Sequence, residues 1–546
     1  MTGVASPGIG QASSSSASRR LFLLAATVLI CLAMFAAFRT GILRDLHSTF
    51  ADQSWGRVQF SIGAVITSMH GGYGYTISEV IKTVLAYAGL TGDPAVLKTV
   101  GVTFPDNLRD PRLIENAIEK AVAFQWPFNP NQEVAGSSGE DVGLVDYARL
   151  SFMLFGRKVV SFFFTYFALV ATSLLAAVIA FRRTPGILAI FVLYAGALFV
   201  LFGSNLLDLD LVGVFDPRFL STLSLIPAAH IALVMLIEPR PTAEQVGLVI
   251  LQSAILVFGY WIRSSAFWTF LGLLGLALLL AAYALWRRRP KGLTAIWPFA
   301  VLAVLAAAHL TYVVNTLHPV YAKGNERPHH ALWHSMIYGV AVNPDWPRKY
   351  AARYGLEDVD EVPDNMAKDY ILRHPPDNPE AVYLTPDRKH IRIGVGETYR
   401  RKAFLEFFAN DPRFVLEAWM YNIKLSNKAL AYYMSSFDRL PVPSWIAIIL
   451  SLLAVAALLS PDRDGRLNFL AATLVVSAGF FVSMGPMIIT APGTATMADQ
   501  FFMLIVAAAC WMVAAASYLL AALAATLQRA HGAGTKRVQL VTPPRQ

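Results

Sequence analysis

Three carboxylates lie close together in segment 139–147, which reads Gly-Glu-Asp-Val-Gly-Leu-Val-Asp-Tyr. A carboxylate in a partly desolvated pocket can act as a general base toward a hydroxyl nucleophile. The glycines at positions 139 and 143 allow tight backbone turns. We therefore take Asp141 and Glu140 as candidate catalytic residues and Asp146 as a candidate substrate-binding residue. Alternatively, these acids cap a helix that begins near position 145 and interact favourably with its positive end.

A second cluster joins cations to aromatic groups in segment 325–334, whose candidate substrate-binding residues are Arg327, His329, His330, Trp333 and His334. Arg327 and the histidines can together hold the phosphate of an anionic lipid. His330 and His334 are spaced to share one helix face, which suits a metal ion, but the sequence shows no third ligand. We therefore predict no metal site, with a divalent metal as an open alternative. A histidine and aromatic belt at a membrane surface explains the same residues.

The remaining chemical signals are weak. A third and sparser polar group consists of Asp208, Asp210, Asp216 and Arg218. The chain has no phosphate-binding P-loop, dinucleotide fingerprint or HExxH motif, so an ATP-driven or nicotinamide-dependent function would need a partner chain. Cys31 and Cys510 both lie in apolar runs, which predicts buried residues without a disulfide framework or a metal site.

The composition predicts a membrane protein around these clusters. Of the 546 residues, 55% are hydrophobic and only 15% are charged, whereas about a quarter of the residues of soluble domains are charged. The apolar residues form long runs, and a bilayer core needs about 20 of them as a helix. The runs lack the alternation of barrel strands, and only helices or closed barrels satisfy their backbone groups in lipid. We predict an all-α polytopic integral membrane protein whose first partner is the bilayer.

Hydropathy predicts about ten transmembrane helices, with a disordered cytoplasmic tail at 1–20. The first span, 21–38, follows Arg19 and Arg20 as in a signal anchor. A six-helix block covers 159–314, with spans at 159–181, 187–203, 219–237, 246–262, 267–286 and 294–314. A three-helix block covers 444–526, with spans at 444–460, 467–489 and 501–526. Residues 527–546 form the second tail.

Charge predicts the orientation of these spans. With both termini in the cytoplasm of a plasma (inner) membrane protein, the short inner connections are rich in cations, namely Arg182, Arg183, Arg240, Arg287, Arg288, Arg289, Lys291, Arg463 and Arg466. The short outer connections carry only Arg218 and Arg263 as cations. The net charge of +9 thus has a topological explanation, and we expect no nucleic acid as a partner.

The same count places two long segments, 39–158 and 315–443, on the extracytoplasmic (periplasmic) side, and segments of this length need elements of their own. In the first, periodicity predicts amphipathic helices over 76–90 and 110–124. In the second, it predicts a helix over 364–373 and a hairpin of strands 381–384 and 390–395. Helices over 398–409 and 414–434 follow, divided by Asn410-Asp411-Pro412.

This layout resembles the GT-C superfamily, whose members are polytopic glycosyltransferases that use polyprenyl-phosphate sugars. The stretch Glu140-Asp141-x-Gly143-x-x-Asp146-Tyr147-x-x-Leu150 resembles the acidic loop before a span in many members. Segment 407–414, with Lys424-Leu425 in the following helix, resembles a recurring segment of bacterial members. Segment 330–339 resembles a block with Trp-His in multi-pass bacterial proteins.

The resemblance implies a sugar transfer from a lipid phosphate on the outer face. Asp141 or Asp45 would deprotonate the acceptor hydroxyl, and Arg327 with His330 or His334 would stabilise the departing lipid phosphate. Members of the superfamily commonly place the catalytic acid soon after the first span, where this chain has Arg44-Asp45. The richer acidic cluster lies at the end of the loop, so both acids remain candidates.

Two other classes of function stay open. An O-antigen polymerase or ligase also uses an outer loop with arginine and histidine, but usually one large loop, whereas this chain has two. A transporter, a flippase or a non-catalytic membrane scaffold is the third hypothesis. Transporters that couple to ions usually keep ionisable groups in their spans, where this chain has mainly His230 and His309.

Overall fold

The fold is known from a computed structural model, which describes residues 23, 27, 143–158, 161–203, 220–237, 241–288, 290–316, 332–354, 361–378, 382, 393–435, 442–490 and 498–539. Within these ranges the chain is helical and has no strand.

The helices fall into two groups, which we call the helical block and the cap. In the helical block, α1 is Gly143–Phe155, α2 is Ser161–Ala180, α3 is Pro185–Gly203, α4 is Leu225–Ile237, α5 is Ala243–Ile262, α6 is Phe267–Trp286 and α7 is Trp297–Thr316. The cap consists of α8 Leu332–Ala341, α9 Trp346–Tyr354, α10 Val362–Arg373, α11 Ile393–Asn410 and α12 Pro412–Ser435. The block then continues with α13 Val442–Leu459, α14 Arg463–Ser483, α15 Gly485–Ile489 and α16 Ala498–Gln539.

Length and apolarity indicate a multi-pass membrane protein. In the described part of the chain, six helical stretches are long and apolar enough to cross a membrane, namely Ser161–Ala180, Ala243–Ile262, Phe267–Trp286, Leu293–Asn315, Arg463–Ile489 and Asp499–Ala530. Three shorter apolar helices are Pro185–Leu198, Ser221–Ile237 and Trp445–Leu459. All nine coincide with predicted spans, and the helices associate the chain with a lipid bilayer. Of the predicted first span, only Leu23 and Thr27 are described, and both are helical and buried.

Successive helices of the block run between two opposite ends. At one, which we call the basic end, Arg182 after α2 pairs with Glu244 at the start of α5. At the other, which we call the Asp146 end, Trp261 near the end of α5 bonds to Asp146 of α1. Helix α5 therefore connects the two ends, and its neighbours α4 and α6 run in the opposite direction.

Glycines allow the closest approaches between helices of the block. A Cβ atom at Gly186 of α3 would lie 2.1 Å from the carbonyl oxygen of Gly465 in α14. At Gly143 in the first turn of α1, a Cβ atom would lie 2.2 Å from the carbonyl carbon of Trp261. Small residues let helix backbones pack this tightly in a bilayer, where lipid tails are as apolar as leucine and van der Waals contact drives association.

The cap has a core of its own, built around the buried Trp346. The rings of Tyr350, Tyr354, Phe407 and Phe414 surround this indole at centroid distances of 5.1 to 6.2 Å. Asp411 separates α11 from α12, and its Oδ1 accepts a 3.0 Å bond from the backbone N–H of Phe414, as an N-cap does.

The cap is attached at the Asp146 end. A Cβ atom at Gly339 of α8 would lie 2.6 Å from the carbonyl oxygen of Ile489, so α8 packs on the backbone that follows α15. The buried Asn422 of α12 donates to the carbonyl oxygens of Gly339 at 3.0 Å and Ile488 at 3.1 Å. Gly485 of α15 in turn packs on Trp268, next to the start of α6.

The structure tests several predictions for the second long segment. The helix predicted over 364–373 is α10, and the helices predicted over 398–409 and 414–434 are α11 and α12. The hairpin is wrong where it is described, because residues 393–395 form the first turn of α11. Val395 and Tyr399, four residues apart, pack together on the cluster around Ile371 of α10, a contact that helical spacing makes. The helices predicted over 76–90 and 110–124 lie outside the described residues.

Candidate functional site

Three of the predicted site residues are described, namely Asp146, Trp333 and His334. The other candidates, Asp45, Glu140, Asp141, Arg327, His329 and His330, lie outside the described residues. The structure places Asp146 in the helical block and the other two described residues in the cap.

Asp146 is held at the junction of three helices. It lies in the first turn of α1, and Gly143 in the same turn packs against the backbone of Trp261. This contact brings the two side chains together, and the indole Nε1 of Trp261 donates to Asp146 Oδ2 at 2.7 Å. The acid therefore does more than interact with the helix terminus, because it also joins α1 to the turn between α5 and α6.

The surroundings of Asp146 raise its affinity for a proton. Burial raises the pKa of Asp146 above its ordinary value, and this effect outweighs the lowering of the pKa by the Trp261 N–H bond and by the nearby Arg149 and His309. A carboxylate with a raised pKa is a better proton acceptor than an ordinary surface aspartate.

His309 of α7 completes this group. Its ring lies edge-on to Trp261 with the centroids 5.1 Å apart. The sequence analysis singled out His309 only as an ionisable residue in a predicted span. The structure instead places it next to the indole that binds Asp146. We call Asp146, Trp261, His309 and Arg149 the Asp146 site.

A second carboxylate lies at the same end of the block. Ser221 donates to Asp499 Oδ1 at 2.7 Å, and Arg263 lies within electrostatic range of this carboxylate. Arg263 is the C-cap residue of α5, two positions after Trp261, so the end of α5 contributes to both acidic groups. The sequence analysis named Arg263 as a topological signal only.

Trp333 and His334 are positioned by an acid that the sequence analysis missed. They form the first turn of α8, and their backbone N–H groups donate to the Glu397 carboxylate at 3.0 and 3.2 Å. Glu397 pairs with Arg400 at 2.9 Å, and Arg400 also bonds to Asp364 of α10. Glu397 and Arg400 are 5% and 6% exposed, so this ion pair is buried in the cap.

The i, i+3 spacing of Glu397 and Arg400 on a predicted helix was the available signal for this pair. The contact with Trp333, 64 positions away, had no signal in the sequence. The Trp333 ring packs against Phe404 with centroids 5.8 Å apart, which further fixes the start of α8 in the cap.

A neutral polar chain crosses the interior of the block. Gln252 of α5 accepts a 2.7 Å bond from the hydroxyl of Ser173 and donates to the carbonyl oxygen of the same residue at 2.8 Å. Its amide nitrogen also lies 3.2 Å from His230 Nδ1, so α2, α4 and α5 are linked. His230, which the sequence analysis named only as an ionisable group in a span, thus has a side-chain amide as its partner.

Metal-binding groups and known proteins give no further information about the site. Among the residues for which positions are described, no group of three or more His, Cys, Asp or Glu side chains is close enough to hold a metal ion. Cys510 is free and buried. No protein-family model, no curated protein and no solved structure matches the chain.

Proposed function

We propose that the protein is a membrane glycosyltransferase, which transfers a sugar from a polyprenyl-phosphate donor to an envelope glycan or lipid on the extracytoplasmic face. The supporting observation is the Asp146 site, where a half-buried carboxyl group with a raised pKa lies at the end of the block that carries the cap. A transferase of this kind needs a proton acceptor at the membrane surface, close to both the lipid-linked donor and the acceptor hydroxyl.

The proposal includes the topology. The nine described apolar helices and the predicted first span would make ten crossings of the plasma (inner) membrane. The basic end, with Arg182, Arg287 and Arg466, would face the cytoplasm together with both termini, in accordance with the excess of cations on cytoplasmic loops. The Asp146 end and the cap would face the opposite side.

In the proposed reaction the acceptor oxygen attacks the anomeric carbon while its proton passes to an aspartate. The bond between that carbon and the lipid-phosphate oxygen breaks, and the phosphate leaves as an anion. Asp146 is the acid whose position supports this role, and Asp141 and Asp45 remain candidates from the sequence. Arg327, helped by His330 or His334, would stabilise the departing phosphate, and Arg149 beside Asp146 is a further cation for this task.

The test is a profile of envelope glycans and lipid-linked sugars in cells that lack the protein. Cells are rescued with the wild type or with Asp45→Asn, Asp141→Asn or Asp146→Asn. We expect one envelope sugar to disappear, its lipid-phosphate donor to accumulate, and one of the variants to fail at rescue while it remains stably inserted. Glu417→Gln in the cap, an exposed acid paired with its helix neighbour Arg413, is the matched control.

Asp146→Asn is well suited to this test because folding should tolerate it. The amide oxygen can still accept the Trp261 N–H bond, and burial penalises a neutral amide less than a carboxylate at this position. Unchanged sugars in the deletion strain, or full rescue by all three variants, would refute the catalytic roles and favour a transporter or a scaffold.

A further inference from the structure

A small cleft opens in the cap between α9, α10 and α11, away from the Asp146 site. Its lining includes Tyr350, Arg353, Tyr354, Arg373, Glu406 and Asp411. We call this the cap cleft. The sequence analysis did not predict this cleft, and it takes no part in the proposed reaction.

Aromatic rings form one wall of the cap cleft. Tyr350 stands edge-on to Phe407 with the centroids 4.9 Å apart, and Tyr354 stands edge-on to the same ring at 6.4 Å. Their packing on the buried Trp346 fixes these rings in place. Tyr354 is buried and the Arg353 guanidinium lies over its ring, whereas Tyr350 is partly exposed, so Tyr350 is the ring that the apolar face of a ligand can reach.

Oriented hydrogen-bonding groups form the other side. Glu406 bonds to Arg373, and Asp369 holds both Arg373 and Arg353 at 3.0 Å, so the two guanidinium groups are fixed. Tyr350 donates its hydroxyl proton to Asp411. A carboxylate has about four acceptor positions and a guanidinium five donors, so both kinds of group retain capacity for ligand hydroxyls after these bonds are made.

The charges around the cap cleft nearly cancel. Arg353 and Arg373 face Asp369 and Glu406, and Asp411 adds one negative charge close to Lys349 and Arg413. An anionic ligand would meet the carboxylates and a cationic ligand the guanidinium groups. A neutral ligand with many hydroxyls and one apolar face suits this combination of fixed donors, acceptors and tyrosine rings.

We infer that the cap cleft binds a neutral saccharide. The cleft is small, so it would take one sugar residue of a longer glycan. This binding depends on the cap alone and does not require the proposed transferase activity. If that activity is established, the cap cleft would hold a neutral residue of the acceptor glycan at the same end of the block as Asp146.

Saturation-transfer NMR on the full-length protein in lipid nanodiscs tests this inference without any lipid-linked donor. The probes are methyl glycosides of glucose, galactose, mannose and N-acetylglucosamine, with glucuronic acid and inorganic phosphate as anionic competitors. We expect transfer to at least one neutral glycoside, and binding about tenfold weaker in Glu406→Gln, since hydrogen bonds to charged groups are the stronger ones. Neither anion should compete.

Two further variants separate binding from folding. Asn410→Ala changes an exposed residue of the cleft lining and should also weaken binding, even if Glu406→Gln disturbs the cap. Glu417→Gln lies on α12 outside the cleft lining, is paired with Arg413, and should bind within about twofold of the wild type. Absence of transfer to every neutral glycoside, transfer that neither cleft variant reduces, or displacement by glucuronate or phosphate would each overturn the inference.

Discussion

The helical block and the cap bury polar groups of different kinds. In the interior of the block, Gln252 links Ser173 and His230 through neutral hydrogen bonds. Besides neutral groups such as Asn422, the cap buries an ion pair, Glu397 with Arg400. Charges deep in a bilayer are costly, so a helical block in lipid relies on close packing and neutral bonds. A cap outside the lipid can bury an ion pair if each ion has partners, as both do here.

The largest expected effect comes from breaking the buried ion pair of the cap. Arg400→Met leaves Glu397 buried without its cation, and we expect a loss of about 3–5 kcal/mol in cap stability. Hydrogen exchange followed by mass spectrometry should show faster exchange in α8–α11, with little change in α2 and α5.

The matched control for this prediction is Arg413→Met, which breaks an exposed pair with Glu417. The Arg413 side chain is 89% exposed, so the cost should stay below about 1 kcal/mol. Equal costs for the two variants would contradict the difference that we draw between buried and exposed ion pairs of the cap.

Next in size is a steric change in the block. Gly186→Ala would place a Cβ atom 2.1 Å from the carbonyl oxygen of Gly465, and backbone cannot move aside cheaply. We expect a loss of about 3 kcal/mol, at the upper end for an overpacked core, seen as a lower thermal midpoint in detergent. On the same helix, Gly196→Ala meets no atom within 4 Å and should be neutral or slightly stabilising. Similar midpoints for the two variants would show that α3 and α14 are not in close contact.

A smaller effect follows from the helix cap at Asp411. Asp411→Ala removes the acceptor for the Phe414 N–H and should cost about 1–2 kcal/mol. The hydrogen bond from Tyr350 is the main cause that lowers the pKa of Asp411. The ionised Asp411 side chain therefore contributes its full stabilisation above the ordinary aspartate pKa. This stabilisation is lost as the pH falls through the lowered pKa of Asp411 in the folded protein.

The pH dependence separates charge from capping. Cap stability measured by hydrogen exchange should fall between neutral and acidic pH in the wild type. Asp411→Asn keeps an N-cap oxygen but does not titrate, so its stability should fall less over the same pH range. Identical pH profiles for the two proteins would remove Asp411 as the source of the dependence.

The smallest effect is expected from the neutral chain in the block. Gln252→Leu leaves Ser173 and His230 Nδ1 without their amide partner and should cost about 1 kcal/mol, the usual size of such bonds between membrane helices. Thr172→Val is the control, because that exposed hydroxyl donates to the carbonyl oxygen of Ala168 in its own helix. If Gln252→Leu lost as much stability as Arg400→Met, the neutral bonds of the block and the ion pair of the cap would be equally important for stability.

The sequence predicted helices well where the signal is local. The apolar run 267–286 has the same bounds as α6, and Pro412 after Asp411 marks the start of α12. The hairpin prediction over 381–395 failed in its described part, because a short run with β-branched residues suits a strand or one turn of a helix equally. The contact of Val395 and Tyr399 with α10 favours the helical conformation of this run.

By itself the sequence determined that the chain is a helical protein of the membrane, because length and apolarity of a span are properties of one segment. Only the tertiary structure decided which polar groups meet. Asp146 binds an indole 115 positions away, and Glu397 fixes a helix start 64 positions away. Such pairs depend on how helices pack at Gly143 and in the cap core, and helical periodicity carries no information about partners in distant segments.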